Sequence, residues 1–289
     1  MKFSERAADG CVTTALLDAH LHLWDPSARH HQWLDDEPAL RRRFGPEDVD
    51  PGRYALAGAI FVQADCRDDE ALDEVHWVQT VARRLVRGIV AYAPVHLGGA
   101  AEPQLAALAR EPLVVGVRRL LQGGPAAAIV DPELVAGVQL LAAWGLTFDL
   151  CVTHDQLPEV AELVAACPAT SFVLDHLGKP PVAARRLDPW RSDLARLAAF
   201  PNVTCKLSGL ATEAAAGWNN ADMRPYLDHA LNVFGPSRCM VGSDWPVLTL
   251  AGTIERWFDA VLEALEPLPP ADRDAVLRAT ASSVYGVEA

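Results

Sequence analysis

Residues 135–152 read Val-Ala-Gly-Val-Gln-Leu-Leu-Ala-Ala-Trp-Gly-Leu-Thr-Phe-Asp-Leu-Cys-Val, the longest apolar stretch in the chain. A run of this length invites reading as a membrane span, but Gln139, Gly145 and Asp149 interrupt it. The spacing instead predicts the end of a helix, a turn at Gly145 and a buried strand over 147–152. Glycine just past an apolar helical run is the residue best suited to a left-handed C-terminal cap. A helix feeding directly into a buried strand is the repeating unit of parallel α/β proteins.

The same unit recurs outward in both directions. Apolar runs stand at Ala15–Leu21, Gly58–Gln63, Gly88–Val95, Val114–Leu121, Thr147–Val152, Ser171–Asp175, Val203–Leu207 and Cys239–Val241, eight in all. Most do not alternate, as expected for parallel strands buried on both faces. Helical periodicity fills the intervals at 71–87, 157–167, 189–200, 223–234 and 253–265. Asp155 is placed to cap the second of these helices, and Gly145 and Gly235 to close helices that precede them. Eight repeats within 289 residues predict a single-domain (β/α)8 barrel over 1–289 rather than an open doubly wound sheet. Neither G-x-G-x-x-G nor a P-loop occurs, which removes the common nucleotide-binding folds.

Composition narrows the function classes. A net charge of −13 argues against a nucleic-acid partner, which leaves a basic footprint on its binder. The polar first ten residues carry no secretory h-region, and no membrane segment is expected, so a soluble cytoplasmic protein is predicted. Oligomeric state is not readable. Six cysteines at 11, 66, 151, 167, 205 and 239 form no C-x-x-C pair and read as reduced, mostly buried thiols.

In a barrel of this kind the chemistry sits at the C-terminal ends of the strands. Strand 1 carries His20 and His22, which share a face because side chains two apart on a strand point the same way. Two imidazoles so placed can share a metal ion or flank a substrate oxygen. Strand 2 ends at Gln63 and Asp65, strand 3 at His96, and strand 4 carries Arg118 and Arg119. Strand 5 ends at His154, strand 6 at Asp175-His176 with Lys179 beyond, strand 7 carries Lys206, and strand 8 ends at Asp244-Trp245. Each taken alone is compatible with a satisfied structural role; the set taken together marks a catalytic mouth. His30 and His31 follow strand 1 in a loop and read as surface residues.

Five ordered motifs carry a resemblance over nearly the whole chain: LLDAHLHLWDP (16–26), FDLCVTHDQLPEV (148–160), FVLDHLGKP (172–180), PNVTCKLSGL (201–210) and FGPSRCMVGSDWPV (234–247). Together they resemble the amidohydrolase superfamily, and within it the amidohydrolase-2 branch of sugar-lactone hydrolases. The resemblance implies a (β/α)8 barrel, in agreement with the strand count. By position it implies an active site of His20, His22, His154, His176 and Asp244. Binuclear members place a bridging carboxylate or carbamoylated lysine on strand 4, where this chain has Arg118 and Arg119; a binuclear centre is therefore rejected. A single divalent ion, zinc or manganese, on His20, His22, Asp244 and His154 is compatible with the ligand types, and the spacing demands none.

The implied activity is hydrolysis of a small-molecule lactone, most closely an aldonolactone such as L-fucono- or L-rhamnonolactone. Asp244 would act as general base, with His176, His20 and His22 around the developing oxyanion. Arg118, His154, Lys206, Gln63, Trp24 and Trp245 would contact substrate, and residues 24–51 would form a lid. The competing expectations are a carboxylated pyrone or muconolactone substrate, a metal-dependent decarboxylase, and a non-catalytic binding barrel.

Overall fold

The computed structural model describes residues 15–288; Cys11 and the polar first ten residues lie outside the described residues. Eight parallel strands run in sequence order: β1 (Leu16–Leu21), β2 (Leu56–Val62), β3 (Val86–Tyr92), β4 (Val114–Leu120), β5 (Thr147–Cys151), β6 (Phe172–Leu174), β7 (Val203–Leu207) and β8 (Cys239–Val241). Every neighbouring pair from β1–β2 to β7–β8 is parallel. The ring closes beyond the end of β8. There the Asp244 N–H donates to the His20 carbonyl at 2.8 Å and the His22 N–H donates to the Trp245 carbonyl at 2.7 Å. Closure therefore puts Asp244 beside the strand 1 histidines. Among the described residues no helix is long and apolar enough to cross a membrane.

The helices are α1 (Ala71–Val81), α2 (Glu102–Leu108), α3 (Pro132–Trp144), α4 (Leu157–Ala166), α5 (Trp190–Ala198), α6 (Asn220–Phe234) and α7 (Ile254–Leu265), with α8 (Pro270–Asp274) and α9 (Thr280–Tyr285) following at the C-terminus. The opening stretch divides as its pattern predicts: α3 ends at Trp144, Gly145 takes φ 66° as its cap, and β5 begins at Thr147. Two sequence expectations are corrected. The helix expected over 71–87 stops at Val81, because Val86 and Arg87 are needed as the first residues of β3, where Val86 pairs with Ala59. Asp155 does not cap α4, which has no side-chain cap; it lies in the preceding single turn His154–Gln156, where Gln156 accepts the Thr153 N–H at 3.0 Å.

The barrel interior holds Leu17, Ala19, Ile60, Val62, Val90, Val173 and Met240, and Ala281 and Tyr285 of α9 pack into the same cluster. Val287, just beyond, lies beside Gly88 and Val115 near the starts of β3 and β4, so the C-terminal segment plugs the N-terminal end of the barrel. A larger cluster fills the space between strands and helices. Cys66, Cys151, Cys167, Cys205 and Cys239 are buried, unpaired thiols.

A buried carboxyl in α1 makes stability depend on pH. Glu74 accepts the Ala64 N–H at 3.1 Å through one oxygen, while its other oxygen has no partner. Burial is the main cause that pushes its pKa from 4.5 up to about 7. The folded protein thus holds this proton more tightly than the unfolded chain does. Its contribution is fully present below pH 4.5 and is lost as pH rises through about 7. Glu74→Gln keeps the acceptor oxygen and removes the titration. Compared with the parent, the variant should gain roughly 2–3 kcal/mol of stability between pH 4.5 and 8.5. Urea unfolding at the two pH values measures this, and an equal change in both proteins would refute it.

Candidate active site

A cavity of about 320 Å³ opens at the C-terminal end of the barrel. His22, Arg118, His176, Lys179 and Asp244 line it from the strand ends, Asp65 and Gln122 stand on its wall, and Trp33, Glu37 and Leu40 reach it from the 24–51 segment. Four of the lining residues, Asp65, His176, Lys179 and Asp244, hold positive φ. Such backbone in residues other than glycine is costly and persists where the surrounding structure over-determines it. Here it turns the chain sharply at each strand end so that the side chain faces the cavity. Close approach reinforces this at His176: a Cβ on Gly209 would stand 2.4 Å from its Nδ1.

Asp244 is the centre of the cluster. Its Oδ1 lies 3.4 Å from His22 Nε2, 3.7 Å from His20 Nε2 and 3.9 Å from His176 Nε2. Burial pushes its carboxyl up, but the surrounding His176, His22 and His20 imidazoles outweigh it and hold the group below the usual carboxylate range. Asp244 is thus ionised at neutral pH. Burial drives His176 down to about 4 and His20 well below its ordinary value, so both rings are neutral at pH 7. His176 Nδ1 contacts Ser208 Oγ at 2.9 Å, which fixes its ring. His22 donates from Nδ1 to the Val62 carbonyl at 2.7 Å. Asp18, below, accepts the backbone N–H groups of His20 at 3.1 Å and Ser243 at 2.8 Å, lacing β1 to the segment after β8.

His20 lies a layer beneath the cavity and is fully buried. Its Nε2 is 3.1 Å from His22 Nε2, and its Nδ1 faces Lys206 Nζ at 3.2 Å and Asp175 Oδ1 at 3.2 Å. Lys206 also binds Asp149 at 2.6 Å and Asp175 at 3.0 Å. Asp149 accepts from Tyr285 Oη at 2.8 Å, and Arg118 donates to Asp175 at 3.2 Å and to the Gln63 carbonyl at 2.7 Å. Buried charges need partners in this way. Asp175 is named from sequence only as part of the strand 6 end, without a role, and Asp149 is not singled out as functional, although a carboxylate inside an apolar strand is itself a signal that a buried cation lies opposite.

Not every expected contact reaches the cavity. Lys206 has no exposed surface and belongs to the floor network. Gln63 is buried, its Oε1 accepting the Asp65 N–H at 2.6 Å. Trp24 is a strut: its indole donates to the Leu40 and Arg42 carbonyls at 3.1 and 3.0 Å, and its ring packs on Trp33 and Phe44. Trp33 is the tryptophan on the cavity wall. Trp245 packs edge-on against Phe44 and is not among the lining residues. His154 sits outside the lining, its Nδ1 3.1 Å from the Lys179 carbonyl. His31, read as a surface residue, is buried instead, its Nδ1 3.1 Å from the Arg29 carbonyl.

His20, His176 and Asp244 offer ligand atoms within 4.8 Å of one another, and His22 Nε2 adjoins them. His22 also has the right tautomer for a ligand, since its Nδ1 hydrogen is committed to Val62 and its Nε2 carries the lone pair, facing His20 Nε2 at 3.1 Å. The residues fit one divalent ion. His154 is not part of that group.

The amidohydrolase family model matches residues 17–287. The chain is 35% identical over 245 residues to an L-fucono-1,5-lactonase of Burkholderia ambifaria, covering 83% of each chain. It is 34% identical to an L-fucono-1,5-lactonase of Burkholderia multivorans, covering 94% of this chain and 96% of the other. A crystal structure of a Burkholderia multivorans amidohydrolase with bound zinc superposes with a TM-score of 0.84 at 33% identity, over 95% of this chain and all of that one.

Proposed function

We propose, from the premise that the chain belongs to the amidohydrolase family, that it is a hydrolase opening the ring of a small sugar-acid lactone of the L-fuconolactone kind. The observation that carries the reading is the ionised Asp244 carboxylate on the cavity floor, ringed by His22, His176 and Arg118. Asp244 takes a proton from a water molecule, which attacks the ring carbonyl carbon. The carbonyl electrons move onto oxygen, and the His176 and Arg118 N–H groups stabilise that oxyanion. Collapse expels the ring oxygen, and the proton held by Asp244 passes to it. One water is added and a hydroxy acid leaves. Asp244 owes its competence to placement rather than to raised basicity, which its depressed pKa excludes.

A bound zinc or manganese ion on His20, His22, His176 and Asp244 would supply a more acidic water and a polarised carbonyl. The mechanism above proceeds through side chains alone, and a metal is not required for it. The proposed setting is the cytoplasm, which suits five buried unpaired thiols. Residues 24–51 are proposed as the cavity's lid.

Charge favours a neutral polyhydroxy substrate over a carboxylated lactone. Of the four cations near the strand ends, Lys206 is sealed in the floor and Arg119 bonds the Tyr92 hydroxyl at 3.1 Å. Arg118, which serves the ring carbonyl, is already partnered by Asp175 and the Gln63 carbonyl, and Lys179 lies 3.6 Å from Glu213. The wall instead presents the carboxylates of Glu37 and Asp65, which accept hydroxyl donors and repel a dianion. A pH-indicator assay over a panel of lactones, with and without chelator, tests the reading. We expect turnover of aldono-1,5-lactones that survives chelation and none of a pyrone dicarboxylate. Turnover of the dicarboxylate alone, or of no lactone, would overturn it.

A further inference from the structure

Lys206 brings three N–H donors into a fully buried position, and three acceptors surround it. They are Asp149 Oδ2 at 2.6 Å, Asp175 Oδ1 at 3.0 Å and His20 Nδ1 at 3.2 Å. A neutral imidazole carries one proton. If it sat on His20 Nδ1, it would point at the ammonium and leave one Lys206 donor without a partner. The alternative donation, from His20 Nδ1 to Asp175 Oδ1 at 3.2 Å, would leave the ammonium facing an N–H and strip His20 Nε2 of the hydrogen it offers to His22 Nε2 at 3.1 Å, while Arg118 Nη1, 3.5 Å from His20 Nε2, already donates to Asp175 Oδ2 at 3.2 Å. The directions compose into one chain. Lys206 donates to His20 Nδ1, His20 Nε2–H to His22 Nε2 at 3.1 Å, and His22 Nδ1–H to the Val62 carbonyl at 2.7 Å.

We propose that Lys206 is a positioning residue that holds His20 in the Nε2–H tautomer, so that His20 presents a hydrogen to the site and withholds the lone pair a metal ion would need. The net pKa of Lys206 is raised, because Asp149 and Asp175 outweigh the effect of burial, and the ammonium persists across the neutral range. Asp149 is itself fixed by Tyr285 Oη at 2.8 Å and by Thr147 Oγ1 at 3.2 Å. The C-terminal helix α9 is therefore wired to the strand 1 histidines along the barrel axis. The same four ligand positions that suit a divalent ion are biased against it from below, by a cation on β7. Removing that cation frees His20 Nδ1 to donate to Asp175 and turns Nε2 into a ligand.

The test does not depend on lactone turnover. Long-range ¹H–¹⁵N correlation spectra of the full chain, with His20 assigned by comparison with His20→Asn, report which ring nitrogen carries the proton. We expect Nε2–H. Zinc titration of the parent and of Lys206→Met/Asp149→Asn, which removes a cation and an anion together, should show binding tightened about tenfold or more, the factor set by one charge-assisted hydrogen bond. A His20 Nδ1–H tautomer in the parent, or equal zinc affinity in the two proteins, would overturn the proposal. Should the double variant fail to fold, the tautomer of the parent decides alone.

Discussion

Asp244→Asn should lower lactone turnover by about a thousandfold or more, within the range that a general base contributes once its nucleophile has no other activator. Asparagine matches aspartate in shape and keeps the backbone N–H bonded to the His20 carbonyl, so barrel closure survives. It cannot accept a proton from water. The loss should fall on kcat, with KM little changed, because the carboxylate acts on the attacking water and not on the sugar hydroxyls. A cooperative thermal melt like the parent's, measured alongside, separates lost chemistry from lost structure. Turnover within tenfold of the parent, in a folded variant, would remove Asp244 from the base role and require another group of the cavity to activate water.

How far the sequence foretold this site depends on the kind of information each residue carries. The eight strands were legible because parallel strands buried on both faces are continuous apolar runs, and the stretch 135–152 divides at Gly145 as its pattern predicts. The same property hid which way the polar residues on those strands face. In a non-alternating run nothing distinguishes a side chain aimed at the cavity from one aimed at the floor. Lys206 was accordingly expected to meet substrate, and it lies sealed between Asp149 and Asp175. Its partner Asp149 is 57 positions away in sequence, a separation that no local pattern spans. Trp24 and Trp33 show the limit for loops. The sequence reading places Trp24 at the substrate and does not single out Trp33, and only the hydrogen bonds of Trp24 to Leu40 and Arg42 assign it to holding the segment together while Trp33 lines the cavity.

Lys206→Met should cost about 3–5 kcal/mol of stability, the range observed when one partner of a buried ion pair is removed. Methionine approximates the lysine stem, so packing changes little, and the penalty comes from charge. Two fully buried carboxylates lose their shared cation. Asp175 retains Arg118 at 3.2 Å, whereas Asp149 retains only the neutral hydroxyls of Tyr285 and Thr147. The unpaired charge is therefore concentrated on Asp149, and Asp149→Asn in the Lys206→Met background should recover a large part of the loss. Asp149→Asn alone should destabilise, since it strands the ammonium on Asp175. A double-mutant cycle by urea unfolding reads the coupling directly. Single-variant costs below 1 kcal/mol, or additive effects in the double variant, would mean that the floor network is solvated and not a closed set of paired charges. Strong coupling would explain why a lysine is kept at the core of a barrel otherwise filled by Leu17, Ile60, Val90 and Met240: it neutralises two carboxylates, one of which, Asp175, also orders Arg118 at the cavity, while its third donor sets the strand 1 histidine on which the site is built.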